Sequence, residues 1–455
     1  MSIAKATITA TLREPYGEAA YKVAERLIDA GYDTWWVGGC VRDMLQGKIP
    51  KDIDIATAAL PQEVLRLFPG SKDTGIAYGS VRAKQGRFAF EVTTFREDDE
   101  ASDGRHPASV VFGTREKDAA RRDFTVNALY MHTINHTLYD PYGGEADLHE
   151  KLIRFIGEPG IRIKHDALRI FRAVRFRALL QGQYHPETYQ ALREQASLAE
   201  GLAGTRVFEE LEKMLFTPVP SRALEDLWEL GVLPYVMPEL HRCKGIPQPG
   251  EYHQEGDVWD HLLASVNSSS SEHGIDVRIA ALFHDIGKAV TFSLKKRIMF
   301  AEHASVSGDL AKGILDRLQC PSARREKITW LIRHHMMMGE FFTMGEARKA
   351  HWYFHPWFGD LLQLFFLDCT GTRPQDFSLY NKIVQDYQLF LNVHPRPEKA
   401  LLDGHEIMEL LSLPSGEAVG EAMAALHEVQ TSKSITSKAE AKAFILAWKK
   451  GIDGK

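Results

Sequence analysis

The chain has 455 residues, 44% hydrophobic and 25% charged, an ordinary composition for a soluble protein with two to four domains and ample core. Its net charge of −6 excludes a global field that attracts nucleic acid, so any such contact needs local basic surfaces. No apolar run of about 18 residues, no apolar stretch in MSIAKATITATLREPYGEAA and no C-x-x-C among four scattered cysteines lead us to expect a reduced cytoplasmic protein without a spanning helix, disulfide framework or zinc ribbon.

Residues Glu14 to Gly31 have helical apolar spacing at Ala20, Val23, Ala24, Leu27 and Ile28, with Gly31 as a C-cap. A strand through Trp35–Val37 enters Gly38-Gly39, and a short helix is expected over Val41–Leu45. Glycines let backbone N–H groups approach a polyphosphate, and Arg42 adds a charged fork. Lys51–Ala56 reads as a strand, so Asp52 and Asp54 would project side by side. Two such carboxylates repel unless a cation lies between them, and their oxygens suit a hard ion such as Mg²⁺. Together these features suggest metal-dependent nucleotidyl transfer. Pro61–Phe68 is a short helix, and Ser80–Phe95 alternates like a hairpin. Glu91 on its second strand is either a third carboxylate or a cross-strand partner for an arginine. Glu97–Thr114 is a polar loop containing Asp103, Gly104 and Arg105. Lys117–Leu129 reads as a helix. There Arg121 and Arg122 could grip phosphate, and Asp123 and Asn127 would share one face.

From Ile156 the pattern is helical. IRIKHDALRIFRAVRFRALL sets Asp166, Arg169, Arg172 and Arg175 at three-residue steps, opposite an apolar side of Leu168, Phe171, Val174 and Ala178. Alone, such a ridge reads as a solvated, salt-bridged face. Helices follow over Pro186–Leu198, Arg206–Leu215 and Ser221–Leu230, then a Pro-rich joint near 234–252. Nine of the 19 histidines lie between His253 and His355. Asp257–Val266 carries His261, Asp276–Gly287 ends in His284-Asp285, His303 opens a helix, Arg324–His335 ends in His334-His335, and apolar Gly359–Cys369 carries Asp368. Histidines and carboxylates at the ends of neighbouring helices suit a hydrolytic metal site. The tail after Pro397 reads as short helices without a chemical signal.

GGCVRD, KDIDIAT, EVTTFR, DGR, RRDFTVNAL, DPYGG and HDALRIFRAVRF, in that order, resemble the class II (bacterial-type) CCA-adding tRNA nucleotidyltransferases and related poly(A) polymerases over about residues 35–180. HQEGDVWDH, HDIGK and the later His and Asp resemble the HD phosphohydrolase domain fused to some of them. The resemblance implies an α+β protein. A nucleotidyltransferase head with a small mixed sheet (1–150) would precede an all-helical neck (151–233), a helical HD body (234–385) and a helical tail (386–455). It implies addition of CCA to the tRNA 3′ end from CTP and ATP without a nucleic-acid template. Asp52 and Asp54 would hold Mg²⁺ with Glu91 as accessory carboxylate. Gly38, Gly39, Arg42 and Arg122 would bind triphosphate, with Asp123 and Asn127 in the same motif. Asp166 and Arg169 would read the base, with Arg172 and Arg175 in support. A carboxylate accepts from the exocyclic amine of C or A, whereas G and U present a carbonyl there.

In the HD part, His261, His284, Asp285 and Asp368 would hold one divalent metal of unspecified identity. His303 and His334 or His335 would hold a second, for phosphatase or 2′,3′-cyclic phosphodiesterase chemistry. His165 departs from the glutamate many relatives carry there, which bears on control of the C-to-A switch. The 97–114 segment resembles the family loop needed for A addition, against CC-only activity. A-only or poly(A) addition, an RNA-binding phosphohydrolase and a non-catalytic RNA-binding protein are the alternatives.

Overall fold

The computed structural model describes residues 3–75, 79–97, 111–394, 400–414, 416–431 and 434–453. The chain divides into two compact units, residues 1–238 and 239–455. The first contains the expected head and neck and residues 234–238 of the expected HD body, and the second the rest of that body and the tail. Among the described residues no helix is long and apolar enough to cross a membrane.

The first unit opens with α1 (Ile3–Arg13) and α2 (Pro15–Asp29). α2 starts with proline at its first turn and buries Ala20, Val23, Ala24 and Leu27 at helical spacing. Then come β1 (Thr34–Val37), α3 (Gly39–Leu45), β2 (Asp54–Thr57), α4 (Pro61–Leu67), β3 (Lys72–Gly75), β4 (Ser80–Gln85) and β5 (Phe88–Thr94). β6 (Arg96–Glu97), β7 (Val111–Phe112), α5 (Arg115–Arg121), β8 (Tyr130–His132) and β9 (Leu138–Tyr139) follow. Seven strands form one mixed sheet in the order β3-β4-β5-β2-β1-β8-β9. β2 runs parallel to β5 and antiparallel to β1, with Asp54 opposite Val37 and Ile55 opposite Val92. Asp54 is therefore placed beside the Gly38 turn on one side and beside Glu91 on the other. The β4–β5 hairpin closes through Gly86-Arg87, where Gly86 takes φ +60°, as the first position of a two-residue loop can require.

Two expected elements are shorter than their patterns suggested. β2 begins at Asp54, so Asp52 lies ahead of the strand and not on it. The expected helix over 117–129 ends at Arg121, and a single 3₁₀ turn, Thr125–Asn127, follows. The reason is local: Asp123 Oδ1 accepts the Phe124 N–H at 2.8 Å, competing with helical bonding, while Phe124 bridges to Phe155 and is fully buried. Asp123 and Asn127 thus share no helix face. The 98–110 part of the expected loop lies outside the described residues.

The rest of the first unit is mostly helical: α6 (Gly144–His149), β10 (Leu152–Ile153), α7 (Pro159–His165), α8 (Leu168–Leu180), β11 (Gln183–Tyr184), α9 (Pro186–Glu194), α10 (Gly204–Leu215), α11 (Pro220–Glu229) and α12 (Leu233–Val236). The expected continuous helix breaks at Asp166, which is extended (φ −153°) and accepts the Leu168 N–H at 3.1 Å. Asp166 therefore stands at a helix junction and not on the arginine ridge. Leu168, Phe171, Val174 and Ala178 are buried as expected, and α10 and α11 pack on α8.

The second unit contains α13 (Pro238–His241), α14 (Val258–Asn267), α15 (Ile275–Phe283), α16 (Lys288–Thr291), the hairpin β12 (Phe292–Leu294) and β13 (Ile298–Phe300), and α17 (His303–Arg317). α18 (Ser322–His334), α19 (Glu346–Tyr353), α20 (Phe358–Gly371), α21 (Ser378–Val393), α22 (Gly404–Leu411), α23 (Glu417–Thr431) and α24 (Lys438–Asp453) complete it. The hairpin interrupts a stretch with no strand expected, and α21 crosses the expected 385/386 boundary. Asp257 caps α14 by accepting the Asp260 N–H at 2.9 Å. α15 is buried nearly all round and ends at Phe283, short of the expected Gly287, leaving His284-Asp285 in the following turn. Gly287 is needed for close approach: a Cβ there would lie 2.4 Å from the His303 carbonyl oxygen and 2.6 Å from the Ser307 nitrogen. Gly287→Ala should therefore lower stability by about 1–3 kcal/mol through overpacking against α17. Urea unfolding checks this, and an unchanged midpoint contradicts it.

Candidate active sites

In the first unit a polar relay joins three segments. Arg42 is buried, and its Nη1 donates to Asn127 Oδ1 at 2.7 Å. Asn127 Nδ2 donates to Asp123 Oδ1 at 2.9 Å. Asp123 Oδ2 accepts from Arg172 Nε at 2.6 Å. Burial alone would raise Asp123, but Arg172 and Asn127 outweigh it and hold the carboxyl below its usual range. Arg122 Nε donates to Tyr130 Oη at 2.8 Å and its Nη2 to Asp118 Oδ2 at 3.1 Å. Burial opposes its charge, yet Tyr130 and Asp118 raise its pKa, so it stays a fixed cation.

These groups line a cavity of about 540 Å³. Its walls include every expected nucleotide-binding residue: Gly38, Gly39, Arg42, Arg122, Asp123, Asn127, Asp166, Arg169, Arg172 and Arg175. Gly38 takes φ +71°, and a Cβ there would crowd Arg122 Nη1 at 3.3 Å. Arg169 Nη1 donates to the Arg162 carbonyl at 2.7 Å, and Arg175 Nε to Glu210 Oε2 at 2.6 Å. Two further arginines, Arg96 and Arg206, were not expected at the site, and Arg121, read from the sequence as able to grip phosphate, lines it too. Arg206 Nη2 donates to Asp166 Oδ2 at 2.9 Å, pinning the carboxylate expected to read the base. It reaches across 40 residues from the start of α10, with nothing local in the sequence to mark it.

Asp54 also lines a second cavity, of about 560 Å³, with Tyr16, Asp52, Ile53, Ser80, Arg82, Ala89 and Glu91. The three expected catalytic carboxylates therefore meet here. Glu91 also faces Arg82 across the β4–β5 pair, so both positions foreseen for it are occupied at once. Burial, then Glu91 and Asp52, raise Asp54 above its usual range against the pull of Arg122. The cluster carries more negative charge than its surroundings neutralise, which fits a hard divalent cation.

In the second unit His261, His284, Asp285, His303, His335 and Asp368 converge. His261 Nε2 lies 3.2 Å from His284 Nε2 and 3.1 Å from Asp368 Oδ1. His284 Nε2 lies 3.5 Å from Asp285 Oδ2. Asp285 Oδ1 lies 3.2 Å from His303 Nε2 and 3.6 Å from His335 Nε2. Each ring is oriented by its other nitrogen: His284 Nδ1 against the Ala281 carbonyl (2.9 Å), His303 Nδ1 against Phe300 (3.0 Å), His335 Nδ1 against Ile332 (2.6 Å), and His261 Nδ1 against Glu255 (3.1 Å). With the Nδ1 atoms anchored outward, the four Nε2 atoms face inward beside two carboxylates, the donor set of a transition-metal centre. Asp285 Oδ1 and His303 Nε2 are buried without a hydrogen-bond partner, as groups awaiting a cation would be. Burial opposes charge on His261, yet hydrogen bonds to Asp368 and Glu255 push it up to about 9, a further sign that the pocket favours positive charge.

Of the two adjacent histidines, His335 enters the cluster. His334 turns away, with Nδ1 on the Trp330 carbonyl (2.7 Å) and its ring against Trp330 and Trp352. His253, Glu255 and Lys288 were not among the expected residues. His253 and Glu255 join His261 in a further group able to hold a metal, and Lys288 Nζ lies 2.6 Å from Asp285 Oδ2. The signal for the first two was H-x-E, eight and six residues before His261.

The Poly A polymerase head domain family matches residues 34–154, the probable RNA and SrmB-binding site of polymerase A matches 183–244, and the HD domain matches 259–386. A CCA-adding enzyme of Geobacillus stearothermophilus is 41% identical over 226 residues, 50% of this chain and 55% of that one. The chain thus spans about half the length of that relative. A CC-adding tRNA nucleotidyltransferase of Thermus thermophilus is 31% identical over 434 residues, 92% of this chain and 94% of that one. The structure is similar to that of the Bacillus stearothermophilus CCA-adding enzyme in complex with CTP, with TM-score 0.67, 25% identity and coverage of 97% and 99% of the two chains. It shares the fold of a Thermotoga maritima CCA-adding enzyme (TM-score 0.54, 17% identity, 98% of each chain). Matched by the Thermus protein along almost its whole length, the chain belongs to the tRNA nucleotidyltransferase family.

Proposed function

We propose that the chain adds CCA to the 3′ end of tRNA from CTP and ATP without a nucleic-acid template, in the cytoplasm, with residues 1–150 as catalytic head and 151–233 as neck. The observation that carries this is the cavity running from Asp54 through Arg42 and Arg122 to Asp166 and Arg169. It offers carboxylate, phosphate-binding and base-reading groups in one continuous space. Asp52, Asp54 and Glu91 would hold Mg²⁺, which when bound activates the primer hydroxyl and neutralises charge on the leaving pyrophosphate. Arg42 and Arg122, fixed by Asn127 and Asp118, receive the triphosphate. Asp166 keeps acceptor capacity beyond its bonds to Arg206 and Leu168 and takes the exocyclic amine of C or A, while Arg169 donates to the ring. Arg172 and Arg175 brace this wall through Asp123 and Glu210.

The near end-to-end match to a CC-adding relative supports a second reading, addition of CC alone. The test is tRNAs ending before CCA, after C and after CC, each offered one NTP at a time. Incorporation of A only after CC, and of C at the two earlier ends, is the CCA pattern; absence of the A step gives the second reading.

The inward-facing His and Asp set of the second unit supports a divalent-metal phosphohydrolase acting on phosphate ends, 2′,3′-cyclic ends included. Asp52→Ala with Asp54→Ala should reduce nucleotide addition about 10³-fold or more while tRNA binding persists; retained incorporation refutes the carboxylate assignment. Asp166→Ala should weaken discrimination against GTP and UTP by roughly 10–100-fold in relative kcat/KM, and unchanged discrimination sinks the base-reading role. His284→Ala with Asp285→Ala should abolish both the opening of 2′,3′-cyclic phosphate ends and the release of phosphate from monoester ends, and leave CCA addition intact. Loss of CCA addition as well would make the second unit's centre structural.

A further inference from the structure

The hairpin β12–β13 starts at the His and Asp centre of the second unit, and packing does not account for its surface. Residues 288–300 carry four cations and no carboxylate, in a chain of net charge −6. Lys295, Lys296 and Arg297 form an exposed tip, and among the described residues none of their side chains has an ion-pair partner. A lysine-tipped hairpin guards against edge pairing, but charge alone serves that role. Here the strands leading to the charge are apolar and open.

Register places the apolar groups. Phe292 pairs with Phe300 and Leu294 with Ile298, so these four share one face, while Ser293 and Met299 share the other. The Phe292 and Phe300 rings lie 6.1 Å apart. Phe300 roots this face in the centre. Its carbonyl oxygen lies 3.0 Å from His303 Nδ1 and its ring 6.5 Å from the His303 ring. Lys288 Nζ, 2.6 Å from Asp285 Oδ2, stands 5.3 Å from the Phe300 centroid. From there the face runs outward. Phe292, Ile298 and Phe300 are only partly covered, and Leu294 is 70% exposed. Phe300 to Arg297 spans about 10 Å along the strand. An open aromatic and aliphatic strip that ends in unpaired cations suits a single strand of RNA, whose bases stack on such faces while its phosphates meet the charge. A mononucleotide held by its phosphate at the centre has no further phosphate to offer the tip.

We propose that the β12–β13 hairpin is an RNA-docking arm: with a phosphate-bearing 3′ end in the centre, the preceding bases lie along the Phe292–Leu294 face and their phosphates on Lys295, Lys296 and Arg297. The inference rests on the phosphohydrolase reading of the second unit, and the test separates the two. Full-length protein with a divalent metal is given either a short oligouridylate ending in a 2′,3′-cyclic phosphate or uridine 2′,3′-cyclic phosphate alone. Lys295→Ala, Lys296→Ala and Arg297→Ala together should raise KM for the oligomer roughly tenfold while its kcat holds. They should also lower the salt slope of that KM by about two, since each single-strand phosphate contact carries about 0.7. KM for the mononucleotide should not follow. Exchanging the three for the other cation (Lys295→Arg, Lys296→Arg, Arg297→Lys) should restore most of the loss. An unchanged KM for the oligomer, or equal rises for both substrates, overturns the proposal. A wild-type protein that opens neither substrate overturns the phosphohydrolase reading instead. Photo-crosslinking then decides this one: an oligomer with thiouridine next to its end should attach within residues 292–300, and attachment confined to other segments overturns the docking arm.

Discussion

The buried relay Arg42–Asn127–Asp123–Arg172 is the interaction on which the first unit depends. It joins the helix after the glycine turn, the 3₁₀ turn after α5 and the face of α8, segments far apart in sequence. Each member needs the next. A buried guanidinium without Asn127, or a buried carboxylate without Arg172, would be an uncompensated polar group, costly in a low-dielectric interior. Holding these elements in register also fixes the cavity whose walls they form. The groups that would grip a nucleotide are thus those that hold the fold at this point, and their rigidity follows from burial and not from loop geometry.

The sheet contributes a different constraint. Because β2 pairs antiparallel with β1 and parallel with β5, one residue at its start is brought beside both the glycine turn and Glu91. That residue is Asp54. The acidic cluster is an outcome of strand order, and the excess negative charge there is a local cost that the surrounding packing sustains.

Much of this was legible in the residues, because chemistry demands particular types at particular spacings. Gly38-Gly39, the D-x-D pair, the RRD motif and the His-Asp pair all carry such demands, and each stands at a cavity or cluster. What periodicity could not reveal is where a side chain captures the backbone. Asp123 and Asp166 sit inside patterns that continue as helices, yet both take a neighbouring N–H and stop the turn. Arg206 escaped because its contact with Asp166 is made through space by α10 packing on α8, with nothing local to mark it. Glu255 escaped for a related reason: it acts on the far nitrogen of His261, where no ligand-spacing rule applies. His334 and His335 could not be told apart, since adjacent residues at a helix end diverge by about 100°.

The outward anchoring of the histidines in the second unit has a consequence of its own. His284, His303 and His335 hold their Nδ1 nitrogens on main-chain carbonyls, and His261 holds its own on Glu255. The ring orientations are set before any ion arrives, and the helices beneath are packed by Leu, Ile and Phe, independently of the centre. Unlike a zinc finger, whose fold is the product of ligation, this scaffold is a preformed mould. Chelation would strip its contents and leave the mould standing.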